Sequence, residues 1–125
     1  MTRQELYSFF IQGIRDDVYP GYDEFEGRCA YNTKDGHHCF FGHLGRECGI
    51  GLKEDASVNQ QSEAHMTRLE EVTGLGIEHL VSLQRLHDKF AATNSGWDPV
   101  RVVHALNEHP VFQDVAQVDP KEFAE

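Results

Sequence analysis

The chain has 125 residues, a length typical of one compact domain, and we expect residues 1–125 to form a single domain. Its 11 basic residues stand against 21 acidic ones, and the net charge of −10 excludes direct nucleic-acid binding through a basic face. The sequence contains three cysteines and no apolar run near the roughly 20 residues that cross a bilayer. We therefore expect a cytoplasmic protein with neither a disulfide framework nor a membrane segment.

The N-terminal part predicts one helix and then a β-hairpin. Residues Thr2–Glu5 form a capping box, and the apolar residues after it recur at helical spacing, which predicts a helix over Arg3–Arg15. Two aromatic-rich runs, 28–31 and 37–41, flank the segment 32–36, which ends in the turn signal Asp-Gly. This pattern predicts two short antiparallel strands.

Beyond the hairpin the sequence predicts a loop and three more helices. The glycines at positions 42, 45, 49 and 51 favour an irregular loop over a helix interior. Apolar periodicity and capping residues then predict helices over 58–73, 77–92 and 99–108. The acidic segment 111–125 is expected to be a tail, and the sequence leaves open whether it is loosely docked or frayed. The expected fold is therefore α+β, with a small antiparallel hairpin packed against about four helices.

All the cysteines and one nearby histidine, at Cys29, Cys39, His43 and Cys48, form a candidate zinc site. Thiolate and imidazole are the ligands that tetrahedral zinc prefers, and a turn followed by a glycine-rich loop can fold around a metal. The spacing contains no C-x2-C pair, on which structural zinc sites usually depend, so two other interpretations stay open. In one, Cys29 and Cys39 are small buried apolar residues, and in the other they form a disulfide across the hairpin.

Four further residues, Tyr31, Phe41, His87 and Trp97, are candidates for lining a pocket that binds a small nucleotide. Two of them also have purely structural interpretations. His87 falls on the apolar stripe of the third predicted helix, where a histidine is more often a hydrogen-bonded core residue than a ligand. Trp97 directly precedes a predicted helix start, where an apolar side chain usually packs into the core.

We expect no enzymatic activity, because no complete catalytic motif is present. Cys39 with His43 or His87 as a base would give a thiolate nucleophile, but neither spacing nor a local signature indicates that pairing. The doublet His87-Asp88 resembles the metal-binding doublet of HD-type phosphohydrolases, and no counterpart of their more distant ligands is identified in this sequence.

Several short motifs occur along the chain: Cys29-Ala-Tyr31, Asp35-Gly36, Cys39-Phe-Phe-Gly42-His43-Leu44, Leu83-Gln-Arg-Leu-His87-Asp88 and the single Trp97. Together they resemble a group of small uncharacterised proteins of tailed bacteriophages and prophages. The sequence departs from the group at His43, where the group typically has cysteine, and it lacks the acidic turn that follows there. A zinc site tolerates a cysteine-to-histidine exchange. The resemblance implies a phage setting and no particular mechanism.

The sequence favours a non-catalytic phage accessory protein that acts by binding in the host cytoplasm. We expect an acidic inhibitor of a host nucleic-acid-handling or defence complex, with a basic surface on the partner as its target. The alternative is a module that binds zinc or sequesters a small nucleotide through the residues named above. The sequence leaves open whether the protein forms a homo-oligomer.

Overall fold

The structure, a computed structural model, describes residues 1–23, 28–29, 33, 36–53, 58–92 and 96–124. At positions 23, 28, 29 and 59 it describes the backbone alone. In this part of the chain the helices are α1 (Arg3–Arg15), α2 (Phe40–Cys48), α3 (Glu63–Thr73), α4 (Ile77–Ala91) and α5 (Pro99–Glu108). Two short strands, β1 (Tyr22–Asp23) and β2 (Arg28–Cys29), form an antiparallel pair, and 3₁₀ turns occupy Val58–Gln60, Pro110–Phe112 and Pro120–Phe123.

The described residues form a helical protein, so the predicted α+β fold is wrong. The strand pair is two residues long on each side, and Cys29 lies opposite Tyr22 rather than opposite the run 37–41. Within that run, Phe40 and Phe41 begin α2. The aromatic pattern does not distinguish a strand from a helix. Phe40, Phe41 and Leu44 are all fully buried, and their spacing suits a buried helix face as well as a buried strand.

The predicted glycine-rich loop is also wrong, because Gly42 and Gly45 lie inside α2. The chain folds back across the helix at Gly45, where a Cβ atom would lie 3.1 Å from the carbonyl oxygen of Ile50 and 3.2 Å from Leu52 Cδ1. Gly49 ends the helix in the left-handed conformation, with φ of 69°. The glycines therefore permit a close approach and a helix cap, and the close approach at Gly45 is visible only with its packing partner.

The other predicted helices are confirmed because their start and stop signals are local. The capping box is present at the start of α1: Thr2 Oγ1 accepts from Glu5 N–H, and Thr2 N–H donates to Glu5 Oε1. Asp98 caps α5, whose first residue is Pro99. The helix predicted from residue 58 begins at Glu63 instead, because the Ser62 hydroxyl accepts the N–H of His65 and acts as the N-cap.

An aromatic cluster joins α1 and α2 at the centre of the core. Phe10 of α1 stacks on Phe40 at a centroid distance of 4.5 Å and meets Phe41 edge-on at 6.2 Å. Phe112, which lies C-terminal to α5, packs edge-on against Tyr7 of α1 at 5.4 Å. Residues from both ends of the described chain therefore share one apolar core.

Hydrogen bonds hold the segment after Phe112 against α1. Gln4 donates to the carbonyl oxygen of Ala116 (3.2 Å) and accepts its N–H (2.7 Å). The N–H of Val118 donates to the Tyr7 hydroxyl at 3.0 Å. The segment up to Val118 is thus docked on the first helix. Among the described residues, no helix is both long and apolar enough to cross a membrane.

Gly13 in α1 is a point of close contact that gives a first testable prediction. A Cβ atom there would lie 2.6 Å from Tyr19 Oη, and the Tyr19 ring is buried with 1% exposure. We expect Gly13→Ala to lower the free energy of unfolding by about 1–3 kcal/mol, since a fully packed ring must move. Urea denaturation followed by circular dichroism measures the loss.

Gly51→Ala is the matched control, because no heavy atom of the described residues lies within 4 Å of a Cβ at that position. We expect the control to change stability by less than about 0.5 kcal/mol. Equal effects of the two substitutions would contradict the close approach of Tyr19 to α1.

Candidate functional site

Two of the predicted zinc ligands, Cys39 and Cys48, lie at opposite ends of α2. Cys39 is the N-cap of α2 and Cys48 is its last residue, so a nine-residue helix separates them by about 13 Å at a rise of 1.5 Å per residue. Cys39 Sγ accepts the N–H of Gly42 at 3.4 Å, and the side chain of Cys29 lies outside the described residues. In the part of the chain with described side chains, no group of three His, Cys, Asp or Glu residues is placed to hold a metal ion.

The predicted nucleotide pocket is brought together only in part. Tyr31 lies outside the described residues, and Phe41 is fully buried against Phe10. His87 and Trp97 are neighbours, with ring centroids 5.3 Å apart. Tyr19, which the sequence analysis did not single out, contacts both rings, at 6.3 Å from His87 and 6.4 Å from Trp97.

His87 is a fully buried histidine whose two ring nitrogens are both engaged. Nε2 accepts the N–H of Gly21 at 3.2 Å, which fixes the proton of the neutral ring on Nδ1. Nδ1 then donates to Asp88 Oδ1 at 2.8 Å, and Gln84 Nε2 donates to the same oxygen at 2.9 Å. Burial lowers the pKa of His87 below its ordinary value of 6.5, against the hydrogen bond to Asp88, which raises it. Near pH 7 the ring is therefore neutral, and neither nitrogen is free to bind a metal.

Tyr19 and His43 form a second polar contact beside His87. The buried Tyr19 hydroxyl lies 2.7 Å from His43 Nδ1, and the His43 ring stacks on Phe9 at 4.3 Å. Burial raises the pKa of Tyr19 well above 10.0, and desolvation lowers the pKa of His43 below 6.5. Both groups are therefore neutral near pH 7, with the phenol donating to the imidazole.

The described contacts do not favour the cysteine nucleophile considered from the sequence. Cys39 has no exposed surface, His43 Nδ1 is bonded to Tyr19, and both nitrogens of His87 are occupied. Reactive cysteines are at least partly accessible to substrate, and this thiol is fully buried.

Ser82 and His109 form a serine–histidine pair that the sequence analysis missed. Ser82 Oγ lies 2.9 Å from His109 Nε2, a distance suited to proton transfer. However, His109 Nδ1 accepts the N–H of Val111 at 3.3 Å, and burial lowers the pKa of the ring. The neutral ring therefore carries its proton on Nε2 and donates to Ser82, so it cannot act as the base that activates this serine.

The described surface is polar and locally acidic. Met1, with 41% exposure, is the one large hydrophobic side chain that is exposed among the described residues. Helix α3 buries Leu69 and Thr73 and exposes Glu63, Glu70 and Glu71. Its one basic residue, Arg68, pairs with Glu71 at 3.6 Å. An open depression of about 620 Å³ lies along this helix, lined by Glu63, Ala64, Thr67, Arg68 and Glu71.

Comparison with known proteins gives no match: no protein family, no curated protein and no solved structure is significantly similar to this chain.

Proposed function

We propose that this protein is a non-catalytic binding protein whose acidic surface occupies a basic site on a partner. An acidic surface of this kind fits a nucleic-acid-handling or defence protein of a bacterial host as the partner. The sequence motifs quoted above suggest that the protein itself is a phage accessory protein. The proposal is carried by the exposed face of α3, where three glutamates face solvent and the one arginine is already paired.

Two features of the described residues favour binding over catalysis. His87 has both ring nitrogens saturated, and His109 holds its proton on the nitrogen that faces Ser82, so neither histidine supplies a general base. The described surface also offers no exposed apolar cluster for a hydrophobic interface. We therefore infer that the protein recognises its partner through charge. Its net charge of −10 attracts it to basic surfaces over a long range.

The experiment is capture of partners from nuclease-treated bacterial lysate, using the intact protein and a variant that combines Glu63→Gln, Glu70→Gln and Glu71→Gln. We expect the variant to bind the captured partner roughly tenfold to a hundredfold more weakly. Exposed ion pairs contribute up to about 1 kcal/mol each, and 1.4 kcal/mol corresponds to a factor of ten. The captured partner, once purified, should be released by double-stranded DNA and by about 0.5 M salt.

A matched control removes the same number of negative charges elsewhere, with Glu47→Gln, Glu108→Gln and Asp114→Asn. All three positions are exposed and lie outside α3. We expect this control to retain most of the binding. Capture that survives high salt, or that falls equally in both variants, would show that the face of α3 is not the binding surface.

A further inference from the structure

His87 joins α4 to the start of β1 through one directional contact. Its Nε2 accepts the N–H of Gly21, and Tyr22, the next residue, begins β1. The contact spans 66 positions in the sequence and is buried. Since Gly21 N–H can only donate, this hydrogen bond exists only while Nε2 carries a lone pair.

Protonation reverses the role of that nitrogen. An imidazolium ring is a donor at both nitrogens, so Nε2–H would face the N–H of Gly21 and two donors would meet in a buried site. The Asp88 carboxylate can still accept from Nδ1 in the charged ring. The electrostatic cost of a buried imidazolium is thereby reduced on the α4 side, while the Gly21 side loses its bond.

We propose that His87 is an acid-sensitive clamp, and that its protonation releases Gly21 and β1 from α4 while the helical core stays folded. This inference is independent of the proposed binding function.

The surroundings of His87 support a local opening. The ionisable neighbours of the ring among the described residues are Asp88, at 2.8 Å, and the neutral phenol of Tyr19, with ring centroids 6.3 Å apart. Phe40 of α2 and Trp97 also pack against the ring, at 5.1 and 5.3 Å, and neither titrates. The stacking of Phe10 on Phe40 holds α1 to α2 by apolar contact, so protonation of His87 breaks no hydrogen bond between these two helices.

The single tryptophan of the chain, Trp97, reports on this site because its ring lies against His87. Its fluorescence and the far-ultraviolet circular dichroism are followed together as the pH falls from about 7.5. We expect the fluorescence to change at a pH where the helical signal is still intact. Coincident transitions in the unmodified protein would overturn the proposal, because the clamp and the core would then open as one unit.

Two variants assign the fluorescence transition to His87. Asp88→Asn removes the anion that favours the imidazolium, and we expect the midpoint to move about one unit to lower pH. Glu108→Gln is the matched control, because Glu108 also accepts from a histidine, His104, at 3.1 Å, but on the exposed face of α5. We expect no shift in this control, and an unchanged midpoint in Asp88→Asn would overturn the proposal.

His87→Gln provides a non-titrating replacement, since the glutamine Oε1 can accept the N–H of Gly21 at any pH. We expect its early fluorescence transition to disappear. If this variant fails to fold, the comparison of Asp88→Asn with Glu108→Gln still decides the outcome.

Discussion

Replacing Phe40 by alanine is expected to lower the free energy of unfolding by about 3–5 kcal/mol. Phe40 has no exposed surface, and its ring stacks on Phe10 at 4.5 Å. It also meets Tyr19 at 4.8 Å and His87 at 5.1 Å, so truncation leaves a cavity where three elements converge. The loss includes aromatic contacts worth about 0.5–1.5 kcal/mol per pair beyond their buried area. Urea denaturation followed by circular dichroism measures it.

The control for this prediction is Phe123→Ala. Phe123 is partly buried in the C-terminal 3₁₀ turn, where Arg15 lies 5.6 Å from its ring centroid. Truncation there leaves a space that solvent can fill, and we expect a loss of about 1 kcal/mol. A Phe40→Ala variant that is no less stable than Phe123→Ala would contradict the placement of Phe40 at the centre of the core.

Acidification below about pH 6.5 is expected to destabilise the protein well before carboxylates begin to titrate. Burial lowers the pKa of His43, His87 and His109 below 6.5 in the folded state. Between their folded pKa values and 6.5 the unfolded chain binds more protons, so stability falls as the pH decreases through this window. Each unit of pKa difference corresponds to about 1.4 kcal/mol.

At alkaline pH the free energy of unfolding is expected to change in the opposite direction, falling as the pH rises. Burial raises the pKa of Tyr19 well above 10.0, so above pH 10 the unfolded chain loses this proton first and stability falls as the pH rises. Urea denaturation at a series of pH values should therefore give a plateau between about pH 7 and 9.5. Stability that increases from pH 7 to 5.5 would contradict neutral buried histidines, and His87→Gln should reduce the acid limb.

Only part of the candidate site around His87 could be predicted from the sequence. The position of His87 on an apolar helical stripe anticipated a core histidine, because burial of a stripe is a property of one helix. Its partner Gly21 is 66 positions away and contributes only a backbone N–H, which has no sequence signal. Two other hydrogen-bonded pairs also join residues that are distant in the sequence, so no local pattern predicts them. They are Tyr19 with His43 and Ser82 with His109.

The amino-acid sequence by itself determined the acidic character of the protein and the helices whose ends carry their own signals, such as Thr2 and Glu5 at α1 and Asp98 and Pro99 at α5. Those signals act between residues a few positions apart. Tertiary structure alone decided that residues 40–48 form a helix, because their apolar and glycine pattern suits a strand, a loop or a helix until Phe10 and Leu52 pack against it. It likewise separated Cys39 from Cys48, since the length of that helix keeps the two thiols apart.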